Sequence, residues 1–189
     1  MIIKMELVSD TIFGNGRSIP GEEDISVLTD EYGFPYFKGG TFKGIFREEL
    51  TRYLALQTGD ESRLKQFLGY AGDDGTDESA KLFFSDFKLS DAVKNAVLSE
   101  IGHNDSKAVL DTFTSLRIFT KIGSDGTAAD GSLRVARCVN KGIVFYSEIR
   151  CSEDEGPEVE KVLGLIKWVG SMRNRGFGRV KVSAMKGGK

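Results

Sequence analysis

Gly170-Ser171-Met172-Arg173-Asn174-Arg175-Gly176-Phe177-Gly178-Arg179-Val180 is the stretch on which the reading of this chain turns. Before it, Gly156-Pro157 opens an apolar stripe at helical spacing, Val159, Val162, Leu163, Ile166 and Val169, with proline well placed in a first turn. After it, residues 178–184 alternate as a strand does. The stretch is therefore expected to join a helix to a last strand. It holds three glycines and three arginines in eleven residues. Glycine permits positive φ and lets a backbone approach a ligand closely. Arg173, Arg175 and Arg179 carry planar donors that match phosphate. From Lys167 to Lys189 there are seven basic residues and no acidic one. Such a turn suits an anionic polymer; a tight connection with solvated arginines is the plainer alternative.

Outward from this turn the remaining elements fall into a regular order. Residues 2–8 form a first strand with Ile3, Met5 and Leu7 on one side. Phe34-Pro35-Tyr36-Phe37 is a short extended piece, broken by Gly39-Gly40. A helix follows with Thr41 as its expected N-cap and a stripe of Phe42, Ile45, Phe46, Leu50, Tyr53 and Leu54. Residues 59–79 are polar and glycine-rich. Leu82–Leu89 reads as a second strand, residues 90–112 as a loop with a short helix, 113–122 as an extended arm, and 123–131 as a turn-rich tip. Gly142–Arg150 is a third strand. The order β-α-β-β-α-β predicts an α+β, ferredoxin-like core. The whole chain, 1–189, is read as one domain with insertions at 10–40 and 90–140, long enough that each is expected to be either functional or disordered.

Composition limits the candidates. A net charge of −2 looks wrong for a nucleic-acid binder, but the charges are segregated. Residues 1–35 hold seven acids against two bases, and residues 153–160 hold five acids, while the last 23 residues are purely basic. Local sign governs the approach of a polyanion. Cys138 and Cys151 have no zinc spacing and are expected to be reduced thiols in or near a strand. No apolar run reaches 18 residues and the N-terminus lacks a signal-peptide core, so a soluble, cytoplasmic protein with no membrane partner is expected.

Two constellations could carry chemistry. In Lys38-Gly39-Gly40-Thr41-Phe42-Lys43-Gly44-Ile45-Phe46-Arg47, glycines precede a helix whose first-turn amides lack internal partners, an arrangement suited to an anion. Lys43 and Arg47, four apart, project from one face; the P-loop spacing is absent. The plainer reading is a capped surface helix. The second is the acidic loop Glu22-Glu23-Asp24-Ile25-Ser26-Val27-Leu28-Thr29-Asp30-Glu31, where one carboxylate could serve as a base or hold a metal-bound water while RNA supplies its own 2′-hydroxyl nucleophile. Acidic loops are also commonly just solvated. The lone histidine, His103, sits in a polar stretch and reads as a loop residue. Hydrolase, zinc-protease, EF-hand and dinucleotide motifs are missing.

These motifs together resemble the RAMP superfamily of CRISPR-associated proteins, and within it the repeated backbone subunit of type III effector complexes. Lys38-Gly39-Gly40-Thr41-Phe42-Lys43-Gly44 is similar to the family's Pro-Gly-Ser-Ser-Leu-Lys-Gly-like helix opening, with Lys38 in place of the proline. Asn174-Arg175-Gly176-Phe177-Gly178-Arg179-Val180 is similar to its Gly-Ser-Arg-Gly-Tyr-Gly-Lys-Val loop. Asp24 and Asp30 reproduce the six-residue spacing of its acidic loop. The resemblance implies a subunit that stacks with copies of itself and with other CRISPR effector subunits along a guide RNA. It implies a β-hairpin thumb at Thr114–Arg137 that divides the guide–target duplex. It further implies Asp24 as the catalytic residue of an endoribonuclease acting on complementary target RNA, with a divalent metal, Mg²⁺, as cofactor. Lys43, Arg47, Arg117, Arg173, Arg175, Gly176 and Gly178 are the implied RNA-binding residues. A non-catalytic structural paralogue, a repeat-RNA-processing RAMP endoribonuclease and a small-ligand ferredoxin-like domain are the alternatives.

Overall fold

Alternation in the first strand is borne out: Ile3, Met5 and Leu7 are buried while Ile2, Lys4 and Glu6 point the other way. The computed structural model describes residues 1–57, 61–68, 82–124 and 126–185. Four strands make one antiparallel sheet in the order β2-β5-β1-β6: β1 Ile2–Leu7, β2 Phe83–Phe84, β5 Val144–Arg150 and β6 Val180–Met185. Helices α1 (Gly39–Gln57) and α5 (Gly156–Leu165) pack their apolar stripes on its buried face. Phe42, Ile45, Phe46, Leu50 and Leu54 from α1 meet Val159, Val162 and Leu163 from α5 in one core. Phe42 stands at the centre, its ring 4.5 Å from Phe87 and 5.5 Å from Phe84.

The second unit is a hairpin: β3 (Thr114–Phe119) pairs with β4 (Arg134–Val139), from Thr114 opposite Val139 to Phe119 opposite Arg134. The outer edge of β4 is covered by the long connection after β1. Thr11 exchanges both backbone hydrogen bonds with Val139, the Arg137 N–H donates to the Ile25 carbonyl, and the Asp24 and Ile25 N–H groups donate to the Val135 carbonyl. Residues 135, 137 and 139 are thus each met by this connection. Two helices, α3 (Asp91–Ile101) and α4 (Ser106–Phe113), lead into the hairpin.

Several expectations need correction. Residues 90–112 form two helices, not a loop with a short one. Ser90 and Asp105 cap them, accepting from the Val93 and Ala108 N–H groups. Glu61–Leu68 is a helix, α2, where a polar connection was expected; the rest of that connection, residues 59–60 and 69–79, lies outside the described residues. Leu82–Leu89 is not one strand. Regular pairing stops after Phe84, because the Ser85 hydroxyl accepts the Glu148 N–H and Phe87 turns to pair with Phe37. Thr41 is not a cap: α1 begins at Gly39, whose N–H donates to Asp86 Oδ1 at 2.9 Å. Helix α5 ends at Leu165, so Ile166 and Val169 are buried from an extended segment, and Trp168 bridges Arg179 rather than standing in a helix. Cys138 and Cys151 are free thiols, Cys138 within β4 and Cys151 just beyond β5. Among the described residues no helix is long and apolar enough to cross a membrane.

Candidate nucleic-acid interface

Glycine placement shapes the turn between α5 and β6. Gly170 (φ 73°) and Gly178 (φ 81°) both adopt positive φ, and a Cβ at Gly178 would lie 2.0 Å from the Val169 carbonyl oxygen. A Cβ at Gly170 would lie 2.5 Å from the Ile12 carbonyl oxygen. These glycines admit the protein's own backbone, not a ligand. Gly176 (φ 85°) is different, since nothing lies within 4 Å of where its Cβ would be. Between them Met172 takes a left-handed conformation (φ 57°), uncommon without glycine, and starts a 3-10 turn at Arg173–Arg175. The outcome is a tight arch carrying two arginines.

That arch faces the hairpin. Arg175 lies over the Phe119 ring at 5.8 Å, and Phe177 meets the same ring edge-on at 5.6 Å. Between arch and hairpin runs a groove of about 930 Å³, lined by Phe119, Thr120, Lys121, Ile122, Ser132, Arg134, Met172, Arg173, Asn174 and Arg175. Four of these are cations and none is an acid. Four cations without an acid, set beside a half-buried ring, suit the backbone of a nucleic-acid strand. A second cavity, of about 770 Å³, is lined by Asp86, Asp91 and Glu148 against Lys88, which disfavours a polyanion.

Lys121, Arg134 and Phe119 were not singled out from the sequence. Strand alternation put Phe119 and Lys121 on one side of the arm, but nothing local showed that this side meets the 170–180 turn. Gly176 lies in the arch and Gly178 at its closing end. Lys43 and Arg47 do not line the groove. Arg47 donates to the Leu68 carbonyl at the end of α2. Lys43 is half-buried and has no acidic partner among the described residues. Burial, and then the neighbouring Arg47 charge, push its ammonium below its ordinary value. Arg117 is paired with Asp10 at 2.5 Å, and that hydrogen bond holds its guanidinium above the usual range.

The acidic loop divides into separate roles. Glu23 is buried and bonds Arg137 Nε at 2.6 Å, while Arg137 Nη1 reaches Asp111 at 2.6 Å and the Thr114 hydroxyl at 3.0 Å. Burial of Arg137 works against its charge, but the bonds to Glu23 and Asp111 outweigh it and raise its pKa. Asp30 accepts the Tyr32 and Phe34 N–H groups and pairs with Lys94 at 2.9 Å. Asp24 is exposed. Its Oδ2 accepts the Val135 N–H at 2.7 Å, and its other oxygen has no partner among the described residues. Because Val135 follows Arg134 in β4, this carboxylate stands one residue along the strand from the groove wall. His103 is exposed in a loop, its ring 5.8 Å from Tyr32. Among the described residues no three acidic, histidine or cysteine side chains gather as a metal cluster. Glu23 is committed to Arg137, which leaves Asp24 to offer a metal little more than one oxygen.

Residues 4–181 match the RAMP superfamily. Two cryo-EM structures share the fold: a type III-B Cmr-beta complex bound to cognate target RNA, and type III-B Cmr-beta in the apo state. In each, the matched chain is 14% identical with a TM-score of 0.68, over 96% of this chain and 95% of that one. A comparison with curated proteins gave no match.

Proposed function

Given that the chain belongs to the RAMP superfamily, we propose that it is a guide-RNA-binding backbone subunit of a type III CRISPR interference complex that cuts complementary target RNA. On this reading the four-stranded sheet with α1 and α5 is a ferredoxin-like core, and the β3–β4 hairpin is the thumb that divides the guide–target duplex. The observation that carries the proposal is the placement of an exposed carboxylate, Asp24, one residue along β4 from a groove walled by Lys121, Arg134, Arg173 and Arg175. The groove would hold phosphates and the arch would fix their register.

Asp24 would accept the proton of the target's 2′-hydroxyl as that oxygen bonds phosphorus and the phosphorus–5′-oxygen bond breaks. A 2′,3′-cyclic phosphate and a 5′-hydroxyl result, the leaving oxygen taking its proton from water. The described residues do not gather a protein-built Mg²⁺ site around Asp24, so no step is assigned to a metal.

Binding tests this reading directly. Arg134→Ala and Arg173→Ala should each lower the salt slope of RNA binding by about 0.7, the value for one phosphate contact on a single strand. The loss should be independent of sequence, because phosphate contacts read no bases. Unchanged slopes in filter-binding titrations of both variants would remove the groove from the interface.

Lys43 gives a second expectation. Its folded pKa lies below the ordinary lysine value of 10.5, so its charge is disfavoured in the free protein, and that penalty disappears as pH rises through the window up to 10.5. A phosphate beside it would raise the value again. RNA binding should therefore take up protons inside that window and weaken there as pH rises. Lys43→Arg, which stays charged, should flatten the dependence. A wild-type affinity that follows the same pH course as the variant's would exclude a phosphate at Lys43.

One observation favours a second reading, a non-catalytic structural paralogue of the same complex: Asp24 already has a structural task in holding Val135. The Asp24→Asn experiment below separates the two.

A further inference from the structure

We infer that the buried Glu23–Arg137–Asp111 network is a positioning device for the Asp24 carboxylate, and that cleavage, more than binding, depends on it. The inference rests on the catalytic reading of Asp24. Glu23 precedes Asp24 directly and is only 3% exposed. Its Oε2 takes Arg137 Nε at 2.6 Å, which ties the loop to β4 immediately before the candidate base. Arg137 is itself fixed from α4 by Asp111 and from the start of β3 by Thr114. Immediately after Asp24, the Ile25 carbonyl accepts the Arg137 N–H and the Ile25 N–H donates to Val135. One residue of β4, Arg137, therefore grips the loop on both sides of Asp24.

The network is costly by composition, which argues for a purpose beyond packing. Glu23 Oε1 is buried with no hydrogen-bond partner, so half of this carboxylate is desolvated without compensation. A buried charge pair of this kind is weak evidence for stability, since an apolar pair of similar volume is often as stable. What an apolar pair would not do is fix the register of an exposed loop to a strand. The planar fork of Arg137, spanning Glu23 on one side and Asp111 on the other, does.

The test uses the assembled complex with guide and complementary RNA. Single-turnover cleavage at saturating target, target-RNA Kd and circular dichroism are measured for Asp24→Asn, Glu23→Ala, Glu23→Gln and Asp111→Ala. Glu23→Ala should slow cleavage by on the order of 100-fold, as a misplacement of about 1 Å does, with Kd within about twofold of wild type. Glu23→Gln keeps an oxygen for Arg137 Nε and should restore most of the rate, a rescue that a general loss of stability would not explain. Asp111→Ala frees one end of Arg137 and should slow cleavage by about tenfold. A folded Glu23→Ala complex that cuts at the wild-type rate overturns the inference. Should Glu23→Ala fail to fold, an unchanged rate in Asp111→Ala overturns it and a slowed one sustains it. Undiminished cleavage by Asp24→Asn would instead sink the catalytic reading, whatever Glu23 does.

Discussion

Replacing Asp24 with asparagine should leave the chain folded and RNA bound, yet slow target cleavage by about 10²–10⁴-fold, the range for a positioned acid–base group. Asparagine suits this test better than alanine because of what Asp24 already does. Its Oδ2 accepts the Val135 N–H at 2.7 Å, and an asparagine oxygen can keep that bond while the charge is lost. Alanine would remove both, costing about 1 kcal/mol for the lost hydrogen bond and loosening the loop at the same time. Binding should hold or tighten slightly in Asp24→Asn, since a carboxylate near phosphate is repulsive. A target with a 2′-deoxy sugar at the cut site should resist the wild type, having no internal nucleophile. The readout is one gel of assembled wild-type and Asp24→Asn complexes with complementary RNA. Evenly spaced fragments from the variant at the wild-type rate would leave the structural-paralogue reading in possession.

Gly178→Ala should be among the most damaging single-methyl additions in the chain. The new Cβ would lie 2.0 Å from the Val169 carbonyl oxygen, at a φ of 81° that side chains disfavour. Neither partner can give way cheaply: the Gly178 N–H donates to the Asp10 carbonyl, and the Val169 N–H donates to the Gly178 carbonyl. The expected loss is about 3 kcal/mol or more, in the class of strain at a special φ. For a domain of this size that is about 2–4 °C of Tm for each kcal/mol. Gly176→Ala shares the positive φ but meets open space, so it should cost about 1–2 kcal/mol, the left-handed penalty alone. Paired thermal melts check the order. Equal losses at the two positions would mean that the close approach at Gly178 relaxes. RNA affinity should fall with Gly178→Ala, because the arch that presents Arg173 and Arg175 hangs from this residue.

The legible parts of the sequence were those written locally. The alternation of Ile3, Met5 and Leu7, the stripe from Phe42 to Leu54 and the Gly156-Pro157 opening each encode their own burial. The arginine-rich turn reads as suited to an anionic polymer, whereas within the acidic loop Asp24 is picked out only by the family resemblance. What stayed hidden was written across the chain. Glu23 and Arg137 are 114 positions apart, and no local pattern marks either as buried. Arg134 lines the groove because the pairing of β3 with β4 sets it opposite Phe119, and no local pattern shows that pairing. Gly39 suggested an anion cradle, whereas its first-turn amide is already taken by Asp86 from the far side of β2, and a Cβ there would sit 2.3 Å from the Phe84 carbonyl oxygen. The helices α3 and α4 are a different case. Ser90 and Asp105 are ordinary N-caps, visible in the sequence but outweighed by the surrounding polar residues.

The covering of β4 by the Thr11–Ile25 connection also bears on solubility. An uncovered strand edge invites addition of a strand from another molecule, and nascent or stressed chains aggregate by that route. Here the protecting segment is the same one that carries the candidate catalytic acid. A substitution that releases Asp24 from Val135 therefore also leaves the Val135 N–H at that edge without its partner. Natural or engineered variants that inactivate cleavage should accordingly favour isosteric changes at Asp24 over deletions of the loop, and loop deletions should first show themselves as insoluble protein.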